Sequence, residues 1–435
     1  MLALVALAAL AIVYPKNPAQ DTSRLALTRS LIEDHTVTID RFAGETYDYA
    51  VRAGHIYSDK APGMSFLAVV PVEALRAADA AAGKQESAPV WNREAHLWAI
   101  RVATTGVLFL LAVFLVGRVA EGIAPGTGAA TAVTFGLGTL VSPLAATTFG
   151  HVGAGALAFG AFVLAWRGRS PAVYAGAGLA AGAAVLMEYQ AALLALVVLA
   201  YTAWRARARG AALFIAGGLP AAVALGAYDL AAFGSPFRLS YEYVANDFAR
   251  AQQQGFFGLH VPSREGFREV LLDGQGLLVV SPVLVLAAAG LVLLWLRGFR
   301  PEATACAAAA GLFIALNAGY FYRYGGTSPG PRFLVPALPF LALGLAPAFA
   351  RWRLVTGLAA LASIVMTEWD ALTWATAKPL ELVPWPQTVW SYLRFPRPAG
   401  VALIAATAGA AAVVAGVHSL GGRRLTAHLP GRNPI

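Results

Sequence analysis

The chain has 435 residues, 58% of them hydrophobic and 13% charged, with a formal net charge of +9 and a mean hydropathy of +0.63. Apolar runs recur from end to end, which excludes an ordinary soluble domain and implies a polytopic membrane protein. A single cysteine, Cys306, excludes an intramolecular disulfide and a cysteine-based metal site.

The runs are too long and too unpatterned for barrel strands, and within hydrocarbon every backbone polar group must be satisfied internally, so helices are expected. Twelve segments are expected, at 1–14, 98–117, 127–146, 150–166, 171–187, 190–204, 211–233, 277–296, 302–321, 333–350, 352–369 and 399–419. The first is short for a crossing, and no basic residue precedes it as a signal peptide requires. The expectation is that the start lies within a longer first helix. The resulting architecture is an all-α bundle of about twelve transmembrane helices, forming one domain over 1–435.

Basic residues mark alternate short loops: Arg118, then Arg167 and Arg169, then Arg205, Arg207 and Arg209, then Arg297 and Arg300, then Arg351 and Arg353. Arg423, Arg424 and Arg432 follow in the tail. The intervening turns at 147–150 and 188–190 carry no Lys or Arg. This positive-inside pattern places both termini in the cytoplasm of a cell whose plasma membrane the protein crosses many times. The basic excess is therefore a topology signal and a contact with anionic membrane lipids, not a nucleic-acid surface.

Among 23 acidic residues only Glu121 and Glu302 fall in cytoplasmic loops, and all four lysines (Lys16, Lys60, Lys84 and Lys378) lie outside. The polar chemistry faces outward, where three long loops are expected at 15–97, 234–276 and 370–398. In the first loop, "TSRLALTRSLIEDH" and "GMSFLAVVPVEALRAADAAA" place apolar residues along one face and charges along the other. Both are expected as helices lying at the membrane surface.

Two clusters in that loop carry chemistry. Asp21 and Arg24 are three residues apart and share a helix face, although an aspartate there also serves as an ordinary helix cap. Asp59 and Lys60 in "YSDKAPG" combine an acid, a base and a rigid turn where the chain returns to the membrane. A lysine there suits a phosphate and a carboxylate orients or deprotonates an acceptor. The competing reading is a solvated ion pair.

The order of these features resembles the GT-C superfamily of integral membrane glycosyltransferases, in particular the protein O-mannosyltransferase and aminoarabinose transferase group. Asp21 matches the acid of the family's first outer loop, and "SDKAPG" matches its acid-Lys-Pro-Pro motif, with Ala-Pro-Gly in place of Pro-Pro after the lysine. "TFGHVGAGALAFGAF" with His151, "GLAAGAAVLMEYQAAL" with Glu188 and Tyr189, "FGSPFRLSYEY" with Tyr241, "GQGLLVVSPVLVL", and "YGGTSPGPRFLVPALPFL" with Arg332 extend the likeness from about residue 15 to about residue 345.

The resemblance implies transfer of a sugar from a polyprenyl-phosphate donor to an acceptor on the outer face, with inversion. Asp21 would be the base, and Lys60, Arg24 and Arg332 would hold the departing phosphate. Asp59, His151, Glu188, Tyr189 and Tyr241 would line the site. Each also has a structural reading: His151 as an interfacial histidine, Glu188 as a snorkelling acid, Arg332 as a helix anchor, and the tyrosines as an aromatic belt. The divalent metal is left open, because Asp21, Asp59, Glu188 and His151 offer ligands without any local HxxxH-type spacing. The acceptor, whether protein, lipid or cell-wall glycan, is also open. The rival reading is a transporter or flippase, although paired halves with midplane charges are not evident.

Overall fold

The computed structural model describes residues 1–376, apart from 15, 18, 85–91 and 327, together with scattered positions between 405 and 413. The last expected segment, 399–419, and the loop 377–398 lie largely outside the described residues. Strands are confined, among the described residues, to one hairpin, Tyr49–Arg52 against His55–Ser58.

The expected segments form helices, several longer or more broken than expected. Glu94–Ile123 is one helical run of 30 residues with an apolar middle, about 45 Å long and sufficient to cross a bilayer with tilt. The expected 127–146 segment stops at Leu137 and resumes as the short Val141–Leu144 turn. Gly150–Arg167 sits at the centre of the bundle and is buried along most of its length. Pro171–Met187 starts on a proline, whose missing N–H has no helical partner to lose, and ends as Glu188 turns extended.

The next helix, Ala192–Phe233, runs for 42 residues, about twice the length a bilayer needs. Arg207, with φ 54° and ψ −158°, breaks it into two arms. These are the expected segments 190–204 and 211–233. The second arm packs so closely on Pro171–Met187 that a Cβ on Gly178 would meet the Phe214 carbonyl oxygen at 1.8 Å. Small residues permit that approach, as is usual between membrane helices.

Proline and glycine shape the remaining segments. Arg264–Val280 meets Val283–Leu296 at 90° across Ser281 and Pro282, and Arg332–Ala342 meets Leu345–Arg351 at 52°. Gly344 stands at the second bend and crosses Gly290 at backbone distance: a Cβ on either would lie 1.8 Å from a carbonyl oxygen of the opposing helix. Among the described residues, four helices are long and apolar enough to cross a membrane singly, or up to six if each bent pair is one span. The figure of twelve is therefore not confirmed, because many of the expected segments are short or broken helices.

The arginine-bearing ends gather at one side of the bundle. Trp166 lies 6.1 Å from Phe299, the Tyr201 hydroxyl donates to Glu302 at 2.7 Å, and Ala120 packs with Ala346. At the opposite end stands the first long loop, with its own apolar core. Leu25, Leu27, Phe42, Tyr57 and Val72 pack there against Leu97, Ile100, Tyr228 and Phe233.

Both stretches form helices, and they differ in how deeply they are buried. Gly63–Ala81 buries Gly63, Met64, Ser65, Ala68 and Val72 and leaves Val70 exposed. Gln20–Arg29, by contrast, is buried from Gln20 through Thr28, charges included. It is enclosed rather than superficial because Arg24 and Asp21 find partners on the transmembrane helices, and its sequence moment does not register those partners.

Candidate active site

The buried helix Gln20–Arg29 organises the polar end. Asp21 is 1% exposed. Its carboxylate accepts from Arg101 at 2.5 and 3.4 Å, from the Thr148 hydroxyl at 2.7 Å and from the Asn17 backbone N–H at 2.6 Å. Arg101 also donates to the Tyr14 carbonyl oxygen at 2.7 Å. Four donors occupy about the full acceptor capacity of one carboxylate.

One turn further, Arg24 faces a second network. It donates to the Gln20 side-chain oxygen and, at 2.9 Å, to Glu188. Glu188 is the residue where Pro171–Met187 ends, and His151 Nδ1 lies 3.3 Å from its carboxylate. Gly150 allows this contact, since a Cβ there would lie 2.3 Å from the Met187 carbonyl oxygen and 2.6 Å from Glu188 Oε1. The His151 ring packs edge-on to Phe149 and Phe333.

Lys60 extends the network. Its ammonium lies 2.7 Å from Asp48 and 3.1 Å from Asp59. Gln20 ties the two halves together, donating to Asp48 at 3.1 Å while accepting from Arg24. Burial pushes the Asp59 carboxyl up to about 6, Lys60 opposing and Asp48 reinforcing the shift. For Asp48 burial also pushes upward, but Lys60, Arg332 and Arg24 outweigh it and hold the carboxyl below the usual range. Burial would lower Lys60, yet Asp48 and Asp59 raise it above the ordinary lysine value. Lys60 is thus a fixed cation, while Asp59 is pushed toward the neutral form.

Arg332 reaches the cluster from the far end of the sequence. Its guanidinium lies 4.8 Å from the Phe149 ring centre and 5.4 Å from that of Phe333. Its Nε has no hydrogen-bond partner among the described residues, and Asp48 and Glu188 lie within its electrostatic range. Arg24, Lys60 and Arg332 therefore converge from three separate segments on three carboxylates, Asp48, Asp59 and Glu188. Nearby, Tyr189 and Tyr241 stack edge to face at 5.2 Å. Tyr189 reaches Ser240 at 3.5 Å, and Ser240 in turn donates to the Asp59 carbonyl oxygen at 2.8 Å.

No family model and no curated protein matches the sequence. Solved structures do. The crystal structure of ArnT from Cupriavidus metallidurans bound to undecaprenyl phosphate aligns over 97% of this chain and 76% of its own, with a TM-score of 0.51 at 16% identity. An oligosaccharyltransferase from Archaeoglobus fulgidus, solved in the apo form, aligns over 91% of this chain and 58% of its own, with a TM-score of 0.51 at 14% identity. Both are glycosyltransferases of GT-C type. This chain has the GT-C fold.

On that GT-C frame the structure gathers Arg24, Lys60, Asp59, His151, Glu188, Arg332, Tyr189 and Tyr241, while Asp21 stands in its own ion pair one turn away. Asp48, Gln20, Arg101 and Thr148 escaped the sequence reading. Nothing distinguishes Asp48 in "TYDYA" from Asp34 or Asp40, and only the hairpin's register turns it toward Lys60. Arg101 alone carried a signal, as an arginine in an apolar run, where charges are paired or functional. Among the described residues no group of three or more His, Cys, Asp or Glu side chains is arranged to hold a metal ion.

Proposed function

We propose that this protein transfers a sugar from a polyprenyl-phosphate-linked donor to an acceptor on the extracytoplasmic side of the membrane. The observation that carries the reading is the convergence of Arg24, Lys60 and Arg332 at one end of a GT-C fold. The ArnT structure of the same fold contains undecaprenyl phosphate, and the fold likeness favours a transferase over a transporter. The arginine-rich ends lie opposite the cluster, and the positive-inside rule puts them in the cytoplasm.

In the proposed reaction the acceptor oxygen attacks the anomeric carbon as the bond from that carbon to the phosphate oxygen breaks. The acceptor proton passes to Asp21, and the lipid phosphate leaves with the electron pair. Arg332 is the best placed to receive that phosphate, since its Nε is unengaged and its planar fork suits phosphate oxygens. Lys60 adds charge that strengthens as negative charge develops on the leaving group. For Asp21, Arg101 fixes the carboxylate in place, and the Thr148 hydroxyl holds the position an acceptor hydroxyl would take. Hydrogen bonds of this kind rearrange when substrate binds.

Binding of undecaprenyl phosphate to the purified protein, followed by native mass spectrometry, tests the reading. Wild type is expected to retain the lipid, and a Lys60→Ala, Arg332→Ala double variant to lose it. Equal retention by both would remove the phosphate site.

A further inference from the structure

The arginine-bearing end of the bundle carries a feature that the charged cluster at the opposite end does not use. Helix Arg300–Gly319 is flanked by two apolar troughs. The larger, about 770 Å³, lies between this helix and Val283–Leu296, with Leu291, Val292 and Trp295 on one wall and Ala303, Ala307 and Gly311 on the other. The smaller, about 520 Å³, lies against the first arm of Ala192–Phe233 and is walled by Ala200, Tyr201 and Trp204. Thr304 and Ala308 line both, so the troughs meet on the helix between them. The helix presents small side chains there while its neighbours present large ones, and a Cβ on Gly311 would meet nothing within 4 Å.

The dimensions fit the acyl chains of one leaflet. The larger trough runs from Ala303 to Ile314 on one helix and from Trp295 back to Leu284 on the other. That stretch of helix rises about 16 Å, about half the thickness of a bilayer's hydrocarbon core. Leu271, Leu277 and Leu278 line its outward end, carried there by the 90° bend at Ser281 and Pro282. The described part of the expected last segment lies elsewhere, with Gly409 against Val133 and Leu137.

Positive charge stands where the troughs reach the membrane surface. Arg300 lines the smaller trough, and its guanidinium lies 4.7 Å from the ring centre of Trp295, which borders the larger one. Arg297 caps the end of Val283–Leu296, and both arginines are exposed. Neither makes an ion pair with a carboxylate among the described residues. Glu302, the acid nearest in sequence, is buried and accepts the Tyr201 hydroxyl at 2.7 Å. Trp204 and Trp295 are both exposed, as in the aromatic belt of a membrane interface.

We propose that this end of the protein binds one two-chain anionic phospholipid of the cytoplasmic leaflet. Its phosphate rests on Arg297 and Arg300, and its chains straddle Arg300–Gly319, one in each trough. Arginines near a membrane surface attract an anionic lipid, and a zwitterionic headgroup's own cation opposes that attraction. The site goes beyond the function proposed above and shares with it only the membrane orientation.

The test is native mass spectrometry of the full-length protein released from neutral detergent. The lipids are dioleoyl phosphatidylglycerol, dioleoyl phosphatidylcholine and single-chain oleoyl lysophosphatidylglycerol. Wild type is expected to retain the phosphatidylglycerol about tenfold or more tightly than the phosphatidylcholine, and the single-chain lipid more weakly than its two-chain parent. An Arg297→Gln, Arg300→Gln double variant should bring the ratio of the two-chain lipids close to one. Ala308→Trp, which fills the place where the troughs meet, should weaken both of them. The Lys60→Ala, Arg332→Ala variant should retain phosphatidylglycerol as wild type does. Equal retention of both headgroups by wild type, a preference that survives the double arginine variant, or unchanged retention in Ala308→Trp would overturn the site. A lipid-free dimer, with a second copy covering the troughs, would overturn it too. Loss of phosphatidylglycerol in the Lys60→Ala, Arg332→Ala variant would assign the lipid to the outward cluster and likewise overturn the site. Undecaprenyl phosphate binding is read separately, so these outcomes leave the proposed phosphate site standing.

Discussion

Asp21 and Arg24 share one face of a buried helix yet belong to different charge networks, Asp21 with Arg101 at 2.5 Å and Arg24 with Glu188 at 2.9 Å. The spacing of three residues puts a carboxylate and a guanidinium side by side without pairing them to each other. The helix thus presents a carboxylate and a guanidinium to one region of space, each held by a partner from a different transmembrane segment.

Asp21→Asn should cut donor turnover by a factor of about 10² to 10⁴, the usual contribution of a positioned base, while donor binding stays near wild type. A substantially wild-type rate in a folded Asp21→Asn protein would show that Asp21 serves only to pair Arg101. The complementary change, Arg101→Ala, leaves Asp21 buried without its partner and should cost about 3–5 kcal/mol of stability. Its thermal midpoint measures that.

Arg332→Lys should weaken donor binding nearly as much as Arg332→Ala. The guanidinium lies over Phe149 and Phe333, and a lysine supplies neither the planar stack nor the bidentate fork. Isothermal titration with a polyprenyl phosphosugar would check it, and full rescue by lysine would argue for simple charge.

Donor binding should strengthen as pH falls through about 6, where Asp59 takes up a proton. The sign follows from competition. Charged Asp59 shares Lys60 with Asp48, at 3.1 and 2.7 Å; neutral Asp59 leaves Asp48 as the single anion on that ammonium and makes the site more positive toward phosphate, whose diester form stays anionic across the range. Asp59→Asn should bind tightly throughout and flatten the profile. A profile of unchanged slope in that variant would separate Asp59 from Lys60.

Gly344→Ala should destabilise the bundle, because the new Cβ would fall 1.8 Å from the Ala287 carbonyl oxygen. Such overpacking typically costs about 1–3 kcal/mol. A thermal midpoint equal to wild type would mean that the two helices separate easily at Gly290.

Much of the frame was legible in the sequence, because apolar length and arginine placement are written directly into composition. Pro171–Met187 and Arg300–Gly319 lie close to their expected positions. The breaks were less legible: whether Pro282 ends a helix or bends it by 90° depends on what packs beside it. The first loop hid the most. A buried Arg24 and a superficial one have the same sequence, and the distinction lies in Glu188, 164 residues away. Asp48 was missed for the same reason, since its value comes from a hairpin register that brings it to Lys60.

The central claim is tested most directly by incubating the purified protein with a panel of polyprenyl-phosphate sugars and measuring donor consumption and release of polyprenyl phosphate. The expected result is turnover of at least one donor, abolished by Asp21→Asn and by the Lys60→Ala, Arg332→Ala double variant. Donor consumption that persists in both variants, or a folded wild-type protein that turns over none of the panel in the presence of protein, lipid and glycan acceptors, would contradict it.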